Sequence, residues 1–331
     1  MNRFDRSDDL LPPVDGDRGG YGGATDEPDR GPGDEVRSAS ILDGGVPAGI
    51  DWHAVEMLAI ELATLAGGEI TAALSRGLMI RYKSPPGTYR DPVSEVDRNV
   101  EVLIRARLSE QFPDHGVLGE EIDDKTDAAH DVIWAVDPVD GTNNFINGFP
   151  WFSASIGVLH RGMPVVGATW CSTSHVLRPG VYHACCGGSL HFDGQPVGWA
   201  ANPAVRRRLA GYPGSGPQNT PWDNRRTGSA AMECAMVAAG PLQLARFENP
   251  FVWDVAGGVA LALAAGREVR VRDKSGWRRF DGFASPDARG QPVVSRTWRK
   301  SLLLGEADAV ETACVLMQQQ RRGNGESTRP A

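Results

Sequence analysis

The stretch from Val132 to Trp151, VIWAVDPVDGTNNFINGFPW, constrains the fold more than any other part of the chain. Five apolar residues, Val132 to Val136, make a short continuous run bounded by turn formers, which predicts a buried strand. The run stops at Asp137; Pro138, Asp140 and Gly141 follow, so two carboxylates leave the strand end at a sharp turn. Carboxylates this close repel one another unless a cation lies between them. The Val139 carbonyl and the Thr142 hydroxyl add hard oxygen donors, and such a set suits magnesium. The pentapeptide D-P-x-D-G alone reads equally well as an ordinary turn; the longer donor string favours a metal site. An EF-hand calcium loop is excluded, because Asn147 stands where that frame needs a glutamate.

A chain of 331 residues has room for one large domain or two lobes, here about 46–195 and 196–317. Residues 1–45 hold eleven acids and five arginines, a net charge of −6 out of −8, so the remainder is close to neutral. With no basic patch left, nucleic acid is not an expected partner. The same segment carries GGYGG, PP and DRGPGDE without apolar periodicity, which predicts a disordered acidic leader. A polar tail over 318–331 is likewise expected to be disordered. No apolar run approaches the length of a bilayer span and the N-terminus lacks a hydrophobic signal core, so a cytoplasmic protein with no membrane contact is expected. The five cysteines are odd in number and form no C-x-x-C pair, which argues against zinc and against a disulfide framework.

Along the chain, Asp51 caps a predicted helix with Val55, Leu58, Leu62, Leu65, Ile70 and Leu74 at helical spacing. LMIRY, Leu78 to Tyr82, predicts a strand. Ser94 and Asp97 form a capping-box pattern before a helix with an apolar face of Val100, Leu103 and Ile104. Gly116 to Leu118 predicts a short strand running into Glu120 and Glu121. The runs Phe152 to His160 and Pro164 to Trp170 predict a hairpin, and Asp193-Gly194 a tight turn between two more strands. Gly228, Ser229 and Ala230 begin a helix of small residues, whose N-terminus admits close approach by an anionic or polyol ligand. WDVAGG, Trp253 to Gly258, predicts a helix starting at Asp254, and Asp308 to Met317 a final helix.

DPVDGTNNF, with GEE (Gly119 to Glu121) upstream and WDVAGG downstream, resembles the inositol monophosphatase family of magnesium-dependent, lithium-sensitive phosphatases. The resemblance runs from about Asp51 to about Leu316. It implies an α/β (α+β) chain with the layered αβαβα sugar-phosphatase fold, and two or three Mg2+ ions. By resemblance, Glu120, Asp137 and the Val139 carbonyl hold one ion, Asp137, Asp140 and Asp254 a second, and Asp97 helps with a third. Glu120, Thr142 and Asp137 are then the catalytic residues, with Thr142 and Glu120 facing the attacking water and Glu121 in support. Gly141 and Thr142 would cradle the phosphate, while Gly228, Ser229 and Ala230 contact the organic part of the substrate.

The chain departs from the family where inositol phosphatases have an aspartate, here Gln243, and a glutamate, here Phe247. Glu248 stands one place off and is the candidate substitute. The expected function is hydrolysis of a small phosphorylated polyol or sugar by an inositol-1-phosphate phosphatase-like enzyme. Fructose-1,6-bisphosphatase, histidinol-phosphate phosphatase and 3′-phosphoadenosine phosphate nucleotidase activities are the alternatives, and a non-catalytic metal-binding regulatory protein is the reading from another class. Family members are often dimers, which makes a homodimer the expected assembly.

Overall fold

A computed structural model describes residues 49–76, 79–83, 92–123, 130–214, 220–286 and 292–326. The acidic leader expected over 1–45 lies outside the described residues.

Two sheets carry the architecture. The larger has seven strands in the order Gly116–Gly119, Val132–Asp140, Ser153–His160, Met163–Cys171, Gly180–Cys185, His191–Phe192 and Gln195–Pro196. Its first pair is parallel and the rest antiparallel. The second sheet has six strands in the order Trp222–Arg225, Arg208–Gly211, Leu242–Phe247, Leu302–Gly305, Glu268–Arg272 and Trp277–Arg279. The first three of these run parallel to one another.

Period-two alternation along the central strand, Val132–Asp140, decides how the layers stack. Trp134 and Val136 point into one apolar cluster, with helices α1 (Trp52–Ala73) and α2 (Glu95–Gln111). Ile133 and Ala135 point the other way, into a cluster with α4 (Ala230–Ala239) and α5 (Val252–Ala264), which also takes Leu242, Leu302 and Leu304 of the second sheet. The helix α6 (Ala307–Glu326) covers the far face of that sheet through Val310, Ala313 and Cys314. Helix, sheet, helix, sheet, helix is the αβαβα order that the sequence resemblance implies. The short α3 (Thr142–Ile146) follows the central strand.

Local signals explain most element ends. The Asp51 carboxylate accepts from Ala54 N at 3.1 Å, and Ser94 with Asp97 forms a reciprocal capping box. Asp193 and Gly194 both have positive φ, 47° and 75°, as a two-residue hairpin turn with the sheet's twist demands. Leu74 and Leu103, expected on apolar helix faces, are exposed instead. The last helix, expected to end at Met317 with a disordered tail beyond it, continues to Glu326. Residues 327–331 of that tail lie outside the described residues.

The glycines of the hairpin bring α5 onto the larger sheet. A Cβ on Gly157 would stand 2.4 Å from Gly257 N, and one on Gly167 2.3 Å from Gly257 O, so no larger residue fits at either strand position without displacing the helix. This contact places the first turn of α5, with Asp254, beside the central strand's acidic end.

Candidate active site

The central strand does not end at Val136. It continues through Pro138 to Asp140, and a one-residue bulge makes this possible: Asp137 pairs with Ser155, and Asp140 with Ser153. In a regular strand, residues three apart face opposite sides. The bulge inserts one residue and turns Asp140 to the side of Asp137, toward α4 and α5. Gly141 then takes φ of 84°, in the left-handed region, and opens α3.

Four other elements bring groups to this point. The strand Gly116–Gly119 lies parallel to the central strand, and the bond from Glu120 N to Val136 O at 3.2 Å carries the pairing to the residue before Asp137. The loop holding Glu120 is clamped from two sides. The fully buried Glu101 of α2 accepts from Glu121 N at 2.6 Å and Ile122 N at 3.2 Å, while Arg296 donates to the carbonyls of Gly119 and Glu120 and stacks over Trp253 at 4.7 Å. Asp97, in the first turn of α2, spends Oδ2 on Ser94 and turns Oδ1 to Thr142 Oγ1 at 3.0 Å. Thr142 Oγ1 is also 2.8 Å from Val139 O, and its single hydrogen serves one of the two acceptors at a time. Asp254 is the third residue of α5, not its first as the sequence predicts, and it accepts from Phe251 N at 2.8 Å.

Asp140 is the most fully held of these acids. It accepts from the Ser229 and Ser153 hydroxyls and from Ala230 N and Ala231 N, the open amides at the start of α4. Ser229 and Ala230 are thus at the site, but their contacts are with Asp140. Gly228 packs beside Asn144, whose amide donates to Trp151 O and Thr227 O, both at 2.8 Å, tying α3 to the start of α4. Glu233 of α4 fixes the same loop from below, accepting from the Thr227 hydroxyl at 2.5 Å.

The electrostatics are those of crowded, poorly solvated acids. Burial pushes Asp137 well above the usual carboxylate range, and the charges of Glu120, Asp140, Asp254 and Asp97 push the same way. Burial also raises Asp140, against the hydrogen bonds it accepts. Asp254 is pushed up to about 8, first by burial and then by Asp140. Asp97 is raised by burial, opposed by Ser94 and Thr142.

Among the described residues no three His, Cys, Asp or Glu side chains already form a closed ligand group. Asp97, Asp140 and Asp254 instead turn oxygens to Ser94, Ser229 and the Phe251 amide. The donor chemistry nevertheless fits a hard divalent cation. It is all oxygen, it is buried, and its mutual repulsion is what a cation between the carboxylates relieves.

Several residues that sequence reasoning passed over belong to the site. The Lys83 ammonium bridges Glu120 and Glu121 at 2.8 and 2.6 Å. Burial alone would lower its pKa, but those two carboxylates win and raise it. Its signal is a lysine directly after a predicted strand, obscured because the loop from it to Asp97 is longer than the family resemblance implies. Asn144 and Glu233 were visible only as polar residues inside otherwise apolar or helical runs.

Gln243 and Phe247, the two departures from the family pattern, are both engaged within the fold. Gln243 accepts from Trp222 Nε1 at 2.7 Å and donates to Glu306 at 2.8 Å, a structural bridge within the second sheet. Phe247 is buried in the core between the sheets. Glu248 is half-exposed and paired with Arg246.

Residues 51–308 match the model of the inositol monophosphatase family. The chain is 31% identical over 252 residues to the chloroplastic phosphatase IMPL1 of Arabidopsis thaliana, covering 69% of this chain and 65% of that one. It is 28% identical over 237 residues to an inositol-1-monophosphatase of Bacillus subtilis, covering 65% of this chain and 84% of the relative. In fold it is similar to the extragenic suppressor protein SuhB of Bartonella henselae, with a TM-score of 0.60 at 23% identity, covering 80% of this chain and 98% of that one.

Proposed function

The chain belongs to the inositol monophosphatase family, whose members are phosphoric monoester hydrolases, and from that premise we propose that it hydrolyses a small phosphorylated polyol, with myo-inositol 1-phosphate as the leading substrate. The observation that carries the reading is the convergence of Asp137, Asp140 and Asp254, from two elements separated in sequence, beside Glu120 in one buried, mutually repelling cluster.

Glu120, Asp137, the Val139 carbonyl, Asp140 and Asp254 would hold two Mg2+ ions, and Asp97 a third. Such ions, when bound, neutralise the acids, polarise phosphoryl oxygens and make water acidic enough to attack phosphorus. The chain's own part is proton handling and orientation. The Thr142 hydroxyl, held between Val139 O and Asp97, accepts a proton from the attacking water and passes its own to Asp97. Asp97 Oδ1 already stands 3.0 Å from that hydroxyl, which gives the proton its path. Lys83 fixes Glu120 in line with the central strand. Gly141 and Thr142 N–H groups face the phosphoryl oxygens in this reading, and Gly228, Ser229 and Ala230 wall the polyol side. Glu248, just past the strand Leu242–Phe247 and paired with Arg246, is the remaining candidate for polyol contact.

Lithium sensitivity, a homodimer, the acidic leader and the division into two lobes at about 195/196 belong to the same proposal. So does a cytoplasmic location, supported by five free cysteine thiols; among the described residues no helix is long and apolar enough to cross a membrane.

The test is phosphate release from myo-inositol 1-phosphate, fructose 1,6-bisphosphate, histidinol phosphate and 3′-phosphoadenosine 5′-phosphate, with and without Mg2+ and Li+. Metal-dependent, lithium-inhibited turnover of the inositol ester fastest of the four is expected. Preference for another ester would move the substrate assignment, and no turnover of any by folded, Mg2+-binding protein would favour a regulatory role.

A further inference from the structure

The segment Ser295 to Lys300, between the strands Pro292–Val294 and Leu302–Gly305, carries no motif, yet it touches two of the elements that build the acidic cluster. Trp298 anchors it. The indole is buried in the core between the sheets, edge-on to Phe283 at 4.8 Å, and Trp298 N closes a turn on Ser295 O at 3.0 Å. With the tryptophan fixed, Arg296 and Arg299, on either side of it, have defined places.

Both arginines meet the start of α5. The rings of Phe251 and Trp253 stack at 4.5 Å with 12° between their planes. The Arg299 guanidinium lies 3.7 Å from the centre of the Phe251 ring, and the Arg296 guanidinium 4.7 Å from that of Trp253. Each ring thus carries a cation as well as its partner ring. Asp254 is the next residue, and its carboxylate accepts from Phe251 N at 2.8 Å, so the stack holds the turn that presents it.

Arg296 reaches further. Its two terminal nitrogens donate to the carbonyls of Gly119 and Glu120, the second at 3.2 Å, with a longer contact to Ile122 O at 3.4 Å. The amides of the same loop, Glu121 N and Ile122 N, are taken by Glu101. The peptide groups on both sides of Glu120 are therefore held. The side chain that holds their carbonyls is about three-quarters buried, and its ion partner, the exposed Asp123, stands 3.8 Å away. A run of direct contacts leads from the Glu120 backbone through one guanidinium to the residue before Asp254.

We propose that Arg296 is a positioning residue of the metal centre: it ties the Glu120 loop to the first turn of α5, fixes the separation of the Glu120 and Asp254 carboxylates, and is required for tight Mg2+ binding. The inference rests on the magnesium reading of the acidic cluster. By Coulomb's law alone a positive charge beside a cation site has the opposite effect, since it repels Mg2+ and its loss would tighten binding. The sign of the change therefore separates positioning from simple electrostatics. Groups that orient metal ligands without touching the metal typically contribute about 10- to 100-fold in affinity.

The test is calorimetric titration of Mg2+ into metal-free protein without substrate, for the wild type, Arg296→Met, Arg296→Lys and Arg299→Met, each checked for folding by thermal unfolding in EDTA. Arg296→Met should raise the Mg2+ dissociation constant at least tenfold, although it removes a repelling charge. Arg296→Lys keeps the charge but lacks the planar fork that grips two carbonyls, and should raise it too. Arg299→Met removes a nearby charge whose hydrogen bond goes to Asn249 O, and should leave the constant equal or lower. The Mg2+ concentration for half-maximal phosphate release should move with the binding constant. Should Arg296→Met fail to fold, Arg296→Lys set against Arg299→Met decides the matter. Equal or tighter Mg2+ binding by folded Arg296 variants, or a comparable weakening in Arg299→Met, would overturn the proposal. A wild type that binds no Mg2+ would overturn the functional reading first, and this inference with it.

Discussion

Replacing Asp254 by Asn should stabilise the metal-free protein at pH 8 while removing its activity. Asp254 is buried in the first turn of α5 and pushed up to about 8, chiefly by burial and by the charge on Asp140. In the unfolded chain the same carboxyl titrates near the ordinary aspartate value of 3.8. Between these values the folded protein holds a proton that the unfolded chain has released. Stability therefore falls as pH rises through that window, and levels off above about pH 8. At about 1.4 kcal/mol per pH unit, the full window is on the order of 5 kcal/mol. Asn keeps a side-chain oxygen for the Phe251 amide, 2.8 Å from the carboxylate it replaces, and carries no charge. Urea unfolding in EDTA from pH 5 to pH 8 reads the effect directly. The wild-type protein should lose stability across the series, and over these three pH units the variant should lose about 4 kcal/mol less. Saturating Mg2+ should rescue the wild type at pH 8, because it binds the folded state alone, and stabilise the variant less, because only the site of Glu120, Asp137 and the Val139 carbonyl stays complete. A wild-type stability that is flat or rising over this range in EDTA, or a variant less stable than wild type at pH 8, would refute the account of the cluster as buried, uncompensated charge.

Thr142→Ala and Asp97→Ala should each lower kcat by about 10²- to 10⁴-fold, and the double variant by no more than the worse single, because both serve one proton path; steady-state rates that fall multiplicatively would separate the two. Gly157→Ala should cost about 1–3 kcal/mol in thermal unfolding, since its Cβ would lie 2.4 Å from Gly257 N, and an unchanged Tm would contradict the close packing of α5. Gln243→Asp should lower stability by about 1–3 kcal/mol by setting a second carboxylate beside Glu306, with KM for myo-inositol 1-phosphate unchanged; a large change in KM would return position 243 to the substrate.

The acidic motif, the hairpin after it, the caps at Asp51 and Ser94 and the family resemblance were legible in the sequence because each rests on neighbouring residues. What was not legible depends on pairing across the fold. Pro138 reads as a strand terminator, yet the bulge opposite Ser153 and Ser155 lets the strand pass through it and puts both aspartates on one side. Ser229 and Ala230 read as substrate contacts, and only the tertiary structure shows their hydrogen bonds going to Asp140. Gln243 reads as a changed recognition residue because it stands where the resemblance implies an aspartate, and only the fold shows its side chain bonded to Trp222 and Glu306. Lys83 carries no local signature of a site residue, and only the fold shows the strand Ile80–Tyr82 delivering it to Glu120.

The central claim is that Asp137 and its neighbours form a magnesium-dependent phosphatase centre. Phosphate release from myo-inositol 1-phosphate, measured against Mg2+ concentration for the wild-type protein and for Asp137→Asn, tests it most directly. The account predicts turnover that rises from background to saturation with Mg2+ in the wild type, and a loss of several orders of magnitude in a variant that remains folded. Turnover in EDTA equal to that in Mg2+, or near-normal activity in Asp137→Asn, would contradict it.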